Sequence, residues 1–379
     1  MPAYINGFGV CLPNKPVHNQ QIESLLGMIG QAPSPVRDVI LDRNGIKWRY
    51  YAIDPATGKP THSNAELTVE AVRSLAAATG LALGDMDLLA CGTSSPDQAI
   101  PSHAAMVHGL LGGPPIEVVS TGGVCCSGMA AMKYACANLW AGLNRTAVVT
   151  GSELISPALR ASQFPEVGAQ ALRDNPYLAF SREFLRFMLS DGAGAVLIED
   201  RPRPGQTALR IDWLELRSYA NELAACMYSG ALKQPDGTLR SWRLAEDDAA
   251  TAFHKGYFNL CQDVNLLSEN IVPTAGRFFA DVRRRHALEA KDVRWLVPHI
   301  SSMFFQQPLY EEMAKAGFEL PPDRWFMNLK YKGNTGAASI FIMLEELCKS
   351  GKLRPGDTIL CAVPESARFT YACLHLTVE

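Results

Sequence analysis

VVSTGGVCCSGMAAMKYACANLW, residues 118–140, passes from a β-type run through a Gly-Gly turn into a helical pattern, with two adjacent cysteines at the junction. Cys126 directly precedes Ser127, Gly128 and the helix-forming AAMKYACANL, and Cys125 falls one residue earlier in the turn. A thiol at the first turn of a helix meets unpaired backbone N–H groups and the positive end of the helix dipole, both of which favour thiolate. The same two residues also suit a purely structural role, as small apolar fillers beneath a strand-to-helix turn.

Working outward, CSGMAAMKYACANLWAGLNRTAVVTGSE (126–153) gives a small-residue turn, a helix, a short loop and a strand. GNTGAASIFIMLEELCKSGKLRPGDTILCAVPES (333–366) repeats that order about two hundred residues later. Two such units imply a duplicated α/β topology in which the turn heading each helix faces a shared centre. Elsewhere AYINGFGVCL (3–12) and MDLLACGTSS (86–95) are strand-like, and AELTVEAVRSLAAATG (65–80) is an amphipathic helix. This alternation points to parallel strands with helical crossovers. RPRPGQTALR (201–210) is the natural joint, which divides the chain into halves 1–200 and 201–379. Within the first half, Leu154 to Leu189 carries Pro157, Pro165, Pro176 and several aromatic and Arg residues, the composition of a lid or wall inserted between two strands.

The chain has 379 residues, 47% hydrophobic and 19% charged, which suits a folded enzyme of two lobes. Lys and Arg total 35 against 38 Asp and Glu, a formal net charge of -3, so bulk electrostatics gives no basis for nucleic-acid binding. The ten cysteines lie in apolar runs without CxxC pairs or His at zinc spacing, so no metal site is expected and buried free thiols in a reducing cytoplasm are. No apolar window reaches the roughly 18 residues needed to span a membrane.

Two further residues are candidates to work with a thiol. His299 ends the apolar run WLVPHISSMFF, where an isolated His is also commonly structural. Asn334 stands on the glycine turn of YKGNTGAAS, where Asn is also an ordinary helix cap.

Taken together, CSGM, VPH and GNTGAAS resemble the Cys, His and Asn motifs of the β-ketoacyl-acyl-carrier-protein synthase III group of thiolase-fold condensing enzymes. DRNGIKWRYYA (42–52), IPSHAAMVHGLLG (100–112) and LSDGAGAVLIE (189–199) resemble three further segments of that family in the same order. The resemblance implies a five-layered α-β-α-β-α thiolase fold. It implies Cys126 as the acyl-accepting nucleophile, because Cys126 matches the family's C-x-G, with Cys125 as a pocket-lining thiol. His299 and Asn334 would then hydrogen-bond the thioester oxygen of the second substrate. The backbone N–H groups of Cys126 and Ala367 would form the oxyanion hole.

The implied chemistry is a ping-pong Claisen condensation of acyl-carrier-protein or coenzyme A thioesters, without another cofactor, by a homodimer with its seam near residues 99–111. Alternatives are acyl transfer to a hydroxyl or amine and a non-catalytic partner subunit. Departures from the family are expected to matter. PESARFTYACLHL (364–376) places Ser366, Ala367 and Arg368 where the family has glycines, and Arg368 either clips to Glu365 or faces the substrate. Val39 replaces an aromatic residue associated with adenine, and Phe304 replaces an Arg associated with carrier docking. Arg43, Arg37, Lys330 and Lys332 are the cations left to meet an acidic carrier. Ile100 is smaller than the family's frequent aromatic residue, which fits a medium or long acyl donor in specialised metabolism, resembling the formation of dialkylresorcinols or pyrones.

Overall fold

The computed structural model describes residues 1–164, 180 and 183–379. Its main sheet has nine strands: β1 (Tyr4–Cys11), β2 (Leu88–Thr93), β3 (Glu117–Thr121), β4 (Thr146–Glu153), β5 (Gly192–Glu199), β6 (Leu209–Ser218), β7 (Trp295–Pro298), β8 (Thr358–Glu365) and β9 (Thr370–Val378). Their order is β7-β8-β9-β6-β1-β5-β4-β2-β3. The two parts of the sheet join where β1 pairs with β6 at Tyr4↔Arg210 and Ile5↔Leu209, with Ile211 N–H donating to Ala3 O at 2.8 Å beside them.

Six helices cover the sheet: α1 (Asn64–Thr79), α2 (His103–Leu111), α3 (Ser127–Ala141), α4 (Val264–His286), α5 (Gln306–Lys315) and α6 (Ser339–Lys349). Helix α1 starts where the sequence places a start signal. Ser63 and Glu66 form a reciprocal capping box, and Gly80 ends the helix with φ of 70°.

Alternation along the strands sets the layers, because successive strand side chains point to opposite faces. Leu88 and Ala90 of β2, and Ala147 and Val149 of β4, face inward onto α3 and α6. Their neighbours Leu89, Cys91 and Val148 face outward onto α1 and α2. In the other part, Ile359, Cys361 and Val363 of β8 face the same inner helices. Leu360, with Tyr371 and Cys373 of β9, packs outward against α4 and α5. Five layers result: α1/α2, sheet, α3/α6, sheet, α4/α5. This is the expected thiolase fold.

The expected run of parallel strands is corrected. Among the described strands of this sheet, only β2–β3, β2–β4 and β7–β8 pair in parallel. The β8–β9 pair is joined by the four-residue turn 366–369, which has no room for a crossover, so it is antiparallel. β5 pairs antiparallel with β1 and β4.

The inner helices come unusually close to the sheet. A Cβ at Gly151 would lie 2.2 Å from the Ala337 carbonyl oxygen just before α6. That backbone cannot yield without moving the loop that carries Asn334. Gly151→Ala is therefore expected to lose about 2 kcal/mol or more of stability, read by thermal or denaturant melting.

Candidate active site

Five segments end at the same place, the carboxyl ends of the strands, which is where open α/β sheets bind ligands. β2 leads to Ser94 and Ser95, β3 to the turn bearing Cys125 and Cys126, β4 ends at Glu153, β7 leads to His299, and β8 ends at Glu365. Together they border a cavity of about 640 Å³. Cys125, His299 and Asn334 all line it. Most of the remaining wall is apolar, including Ile155, Met188, Leu267, Ile271, Phe305 and Leu309. The volume and lining suit a small-molecule ligand with an extended apolar part.

His299 is fixed by its backbone, its N–H donating to the Ala362 carbonyl at 2.8 Å. The side chain is 3% exposed, and burial pushes its pKa down to about 4, so the ring is neutral near pH 7. Its Nε2 is buried without a hydrogen-bond partner among the described residues. Such an atom is ready to meet a ligand. Asn334 donates its backbone N–H to Met188 O at 3.2 Å and accepts from Ser190 N–H at 2.8 Å. Its side-chain Oδ1 accepts from Gly336 N–H at 3.0 Å, which leaves the Nδ2 amide as the donating end.

Of the two cysteines, Cys125 lies in the cavity wall, where a pocket-lining thiol was expected. Cys126 is the N-cap residue of α3, and its thiol turns away from the cavity to Val363 O at 3.2 Å and Thr370 O at 3.6 Å in the β8–β9 hairpin. It is 3% exposed and is not in the cavity wall. Cys125 is. In this structure the Cys125 thiol, rather than that of the expected nucleophile Cys126, borders the cavity.

Burial works against the ionisation expected at the helix head. Burial pushes both thiols well above the ordinary cysteine value, and the nearby Glu365 carboxylate adds to the rise. The amides that would have favoured thiolate are taken. Glu365 Oε2 accepts from Val124 N–H at 2.9 Å and from Cys126 N–H at 3.0 Å. The backbone donor expected from Cys126 is therefore occupied.

Ala367, expected to give the second donor, is not in the cavity wall. Its carbonyl accepts from Cys226 and Met227 N–H at 2.8 and 3.2 Å, and the cavity wall is formed instead by Pro364 and Ser366. Arg368 neither clips Glu365 nor faces the cavity. The left-handed Phe369, with φ of 56°, turns the hairpin so that Arg368 reaches the surface and donates to Leu223 O at 3.3 Å. Ile100 is 86% exposed and lies outside the chain's own cavity.

Of the expected carrier contacts, Arg37 is held by Glu23 and Asp38 at 2.8 and 3.0 Å, so its charge is already paired. Arg43, Lys330 and Lys332 lie on elements that meet: Ser302 Oγ donates to Arg43 O, and Lys47 N–H donates to Lys330 O. Exposed Trp48, Phe304 and Tyr331 belong to the same elements. Of the expected lid, residues 165–179 and 181–182 lie outside the described residues. Its flanks, among them Leu154, Ile155, Phe184 and Met188, form one side of the cavity.

Sequence reasoning gave no role to Glu153. It lines the cavity, fully enclosed, and accepts from Ser94 Oγ at 2.6 Å, Ser95 Oγ at 2.7 Å and Ala337 N–H at 3.4 Å. A carboxylate closing an apolar strand and followed by Leu-Ile was the available signal. Burial raises its pKa from 4.5 to about 7. The unfolded chain ionises first, so this group's full contribution is present below about pH 4.5 and declines as pH rises through 7. The loss is about 3 kcal/mol at most. Melting curves from pH 4.5 to 8 are expected to show less decline for Glu153→Gln than for the unaltered chain.

Residues 70–203 match the β-ketoacyl synthase N-terminal domain, and residues 284–377 match the 3-oxoacyl-[acyl-carrier-protein] synthase III C-terminal family. The chain is similar to the β-ketoacyl-[acyl-carrier-protein] synthase III of Allorhizobium ampelinum, 26% identical over 378 residues that cover 99% of this chain and 98% of that protein. Among solved structures it is similar to AbyA1, a tetronic acid condensing enzyme, with a TM-score of 0.79 at 18% identity and 99% coverage of both chains. It is also similar to Xanthomonas campestris OleA with bound lauric acid and lauroyl-CoA, with a TM-score of 0.75 at 18% identity, covering 100% of this chain and 99% of that one. At that identity the structural likeness concerns the fold. No helix among the described residues is long and apolar enough to cross a membrane.

Proposed function

Because the chain belongs to the ketosynthase III-like family of thiolase-fold condensing enzymes, we propose that it joins two acyl thioesters by a ping-pong Claisen condensation. In the first half-reaction the Cys125 sulfur attacks the donor's thioester carbonyl, and the carrier thiol leaves with the proton lost by Cys125. In the second, another thioester loses carbon dioxide or an α-proton. The resulting carbanion attacks the acyl group, forming the carbon–carbon bond and releasing Cys125. His299 and Asn334 donate to the second thioester's oxygen as negative charge develops there, in a largely apolar cavity. No cofactor beyond the thioesters enters this scheme.

The observation that carries this reading is the convergence of Cys125, His299 and Asn334 on one largely apolar cavity. OleA's bound lauric acid and lauroyl-CoA are in keeping with a medium or long donor here. Each methylene buried is worth about 0.8 kcal/mol, so the acylation rate at low donor concentration should rise about fourfold per added methylene until the cavity is full. Exposure to a panel of acyl thioesters, followed by the mass of the intact protein, tests the proposal. No adduct with any donor would contradict it.

A second reading of the nucleophile rests on the C-S-G spacing, which favours Cys126, and requires that thiol to turn out of the hairpin. A second reading of the reaction, acyl transfer to a hydroxyl or amine, is favoured by the neutral, unpartnered Nε2 of His299, which suits a general base. Product mass with a malonyl or β-ketoacyl partner separates the two reactions. Acyl carrier protein is the proposed donor partner, met by Arg43, Lys330 and Lys332. A homodimer seam is proposed beside the edge strand β3, where Ile100, Leu110, Trp140 and Leu143 are exposed.

A further inference from the structure

Residues 204–283 lie between the two matched domains and supply part of the cavity wall. Within them a short antiparallel ribbon pairs Met227–Tyr228 with Cys261–Gln262. The bonds from Cys226 and Met227 N–H to Ala367 O fasten this ribbon to the tip of the β8–β9 hairpin. Two polar side chains meet at the junction and line the cavity, Gln262 from the ribbon and Ser366 from the hairpin.

Gln262 is 2% exposed, and its surroundings fix which way the amide points. Nε2 donates to Cys226 O at 3.2 Å and to Cys226 Sγ at 2.9 Å, while the Cys226 thiol gives its own proton to Asp263 O at 3.3 Å. Both Cys226 acceptors need the amide nitrogen, so Oε1 faces the hairpin. There it accepts from Ser366 Oγ at 3.4 Å, well beyond the usual O–H···O separation of about 2.7–2.8 Å. Two oxygens at that spacing can both stand about 2.8 Å from a third oxygen set beside them. Ser366 has a proton to give, and Gln262 Oε1 can only accept. A hydroxyl satisfies both at once.

We propose that Gln262 and Ser366 form a specificity site for an acyl substrate that carries a hydroxyl on one of its first few carbons. Ser366 Oγ–H donates to the ligand oxygen, and the ligand O–H donates to Gln262 Oε1. The place along the chain follows from Glu365, which directly precedes Ser366 and accepts from Cys126 N–H at 3.0 Å in the turn bearing both cysteines. It is the same whichever thiol carries the acyl group. Other polar groups of the wall are already committed: Ser94 and Ser95 to Glu153, and Asp97 to the N–H groups of Asn64 and Ala65. The apolar wall takes the remainder of the chain. For its meaning in turnover the inference rests on the condensing-enzyme reading; the binding it predicts does not.

The test is calorimetric titration of the unaltered chain, Ser366→Ala and Gln262→Met with decanoate, 3-hydroxydecanoate and 10-hydroxydecanoate, which involves no acyl transfer. In the unaltered chain 3-hydroxydecanoate is expected to bind about tenfold more tightly than decanoate, and 10-hydroxydecanoate no more tightly. In each variant the advantage should fall to about twofold or less, with decanoate affinity unchanged. Cys226 O keeps its bond from Asp263 N–H at 2.7 Å, so Gln262→Met leaves no carbonyl unpaired and should fold.

Equal affinity for decanoate and 3-hydroxydecanoate in the unaltered chain, binding of neither, or an advantage that survives in both variants would overturn the proposal. A preference for 10-hydroxydecanoate over 3-hydroxydecanoate would overturn it too, by moving the site to the far end of the chain. Loss of cooperative melting in Ser366→Ala would do the same, because the hydroxyl would then serve the fold. If the advantage appears and depends on both residues but no acyl thioester ever labels the protein, this inference stands and the condensing-enzyme reading fails.

Discussion

Cys125→Ser is expected to take up no acyl group as a stable thioester, whereas Cys126→Ser is expected to acylate within a few-fold of the unaltered rate. The asymmetry follows from where the two sulfurs lie. Cys125 is part of the wall that His299 and Asn334 share. The Cys126 thiol is occupied with the carbonyls of Val363 and Thr370 behind that wall. A serine at 126 can keep a hydrogen bond to Val363 O, so the variant should fold. The measurement is intact-protein mass after incubation with a saturating acyl thioester. The reverse pattern would return the nucleophile to Cys126 and require the hairpin to open during turnover.

Asn334→Ala is expected to leave acylation of Cys125 nearly unchanged and to slow condensation by about 100- to 1,000-fold. That is the usual loss when a preorganised donor to developing negative charge is removed. His299→Ala should behave in the same way, because its buried neutral ring holds an unpartnered Nε2 in the same cavity. Single-turnover experiments separate the steps: donor alone gives the acylation rate, and acyl-enzyme plus second thioester gives the condensation rate. Equal losses in both steps would show that the two residues act on the donor as well.

Much of this site was legible in the sequence for a physical reason. An apolar strand that ends in His delivers that residue to the carboxyl end of a sheet, as His299 is delivered, and the Gly-Asn turn that heads the second inner helix brings Asn334 to the same cavity. The duplicated turn-helix-strand units likewise become α3 and α6, back to back between the two parts of the sheet. Strand direction was less legible, because a buried strand has the same apolar pattern whether its neighbour is parallel or antiparallel. Only the short turn between β8 and β9 carried that information.

The choice between Cys125 and Cys126 was not local at all. The C-S-G spacing fixes where the helix begins. Which thiol faces the cavity depends on a hairpin whose Glu365 binds an amide 239 positions earlier in the chain. Arg368 was misjudged for a related reason: its direction is set by the left-handed turn at Phe369, a non-glycine residue for which the sequence gives no warning. Glu153 escaped attention because it closes an otherwise ordinary buried strand, and its importance lies in contacts with Ser94, Ser95 and Ala337, from two separate loops.

The most direct measurement is peptide mapping by tandem mass spectrometry of the unaltered protein, quenched after brief exposure to a long-chain acyl thioester. The acyl mass is expected on Cys125, with Cys126 unmodified in the same peptide. Acyl mass on Cys126, or on neither cysteine, would contradict the assignment of the cavity thiol as the carrier of the acyl group.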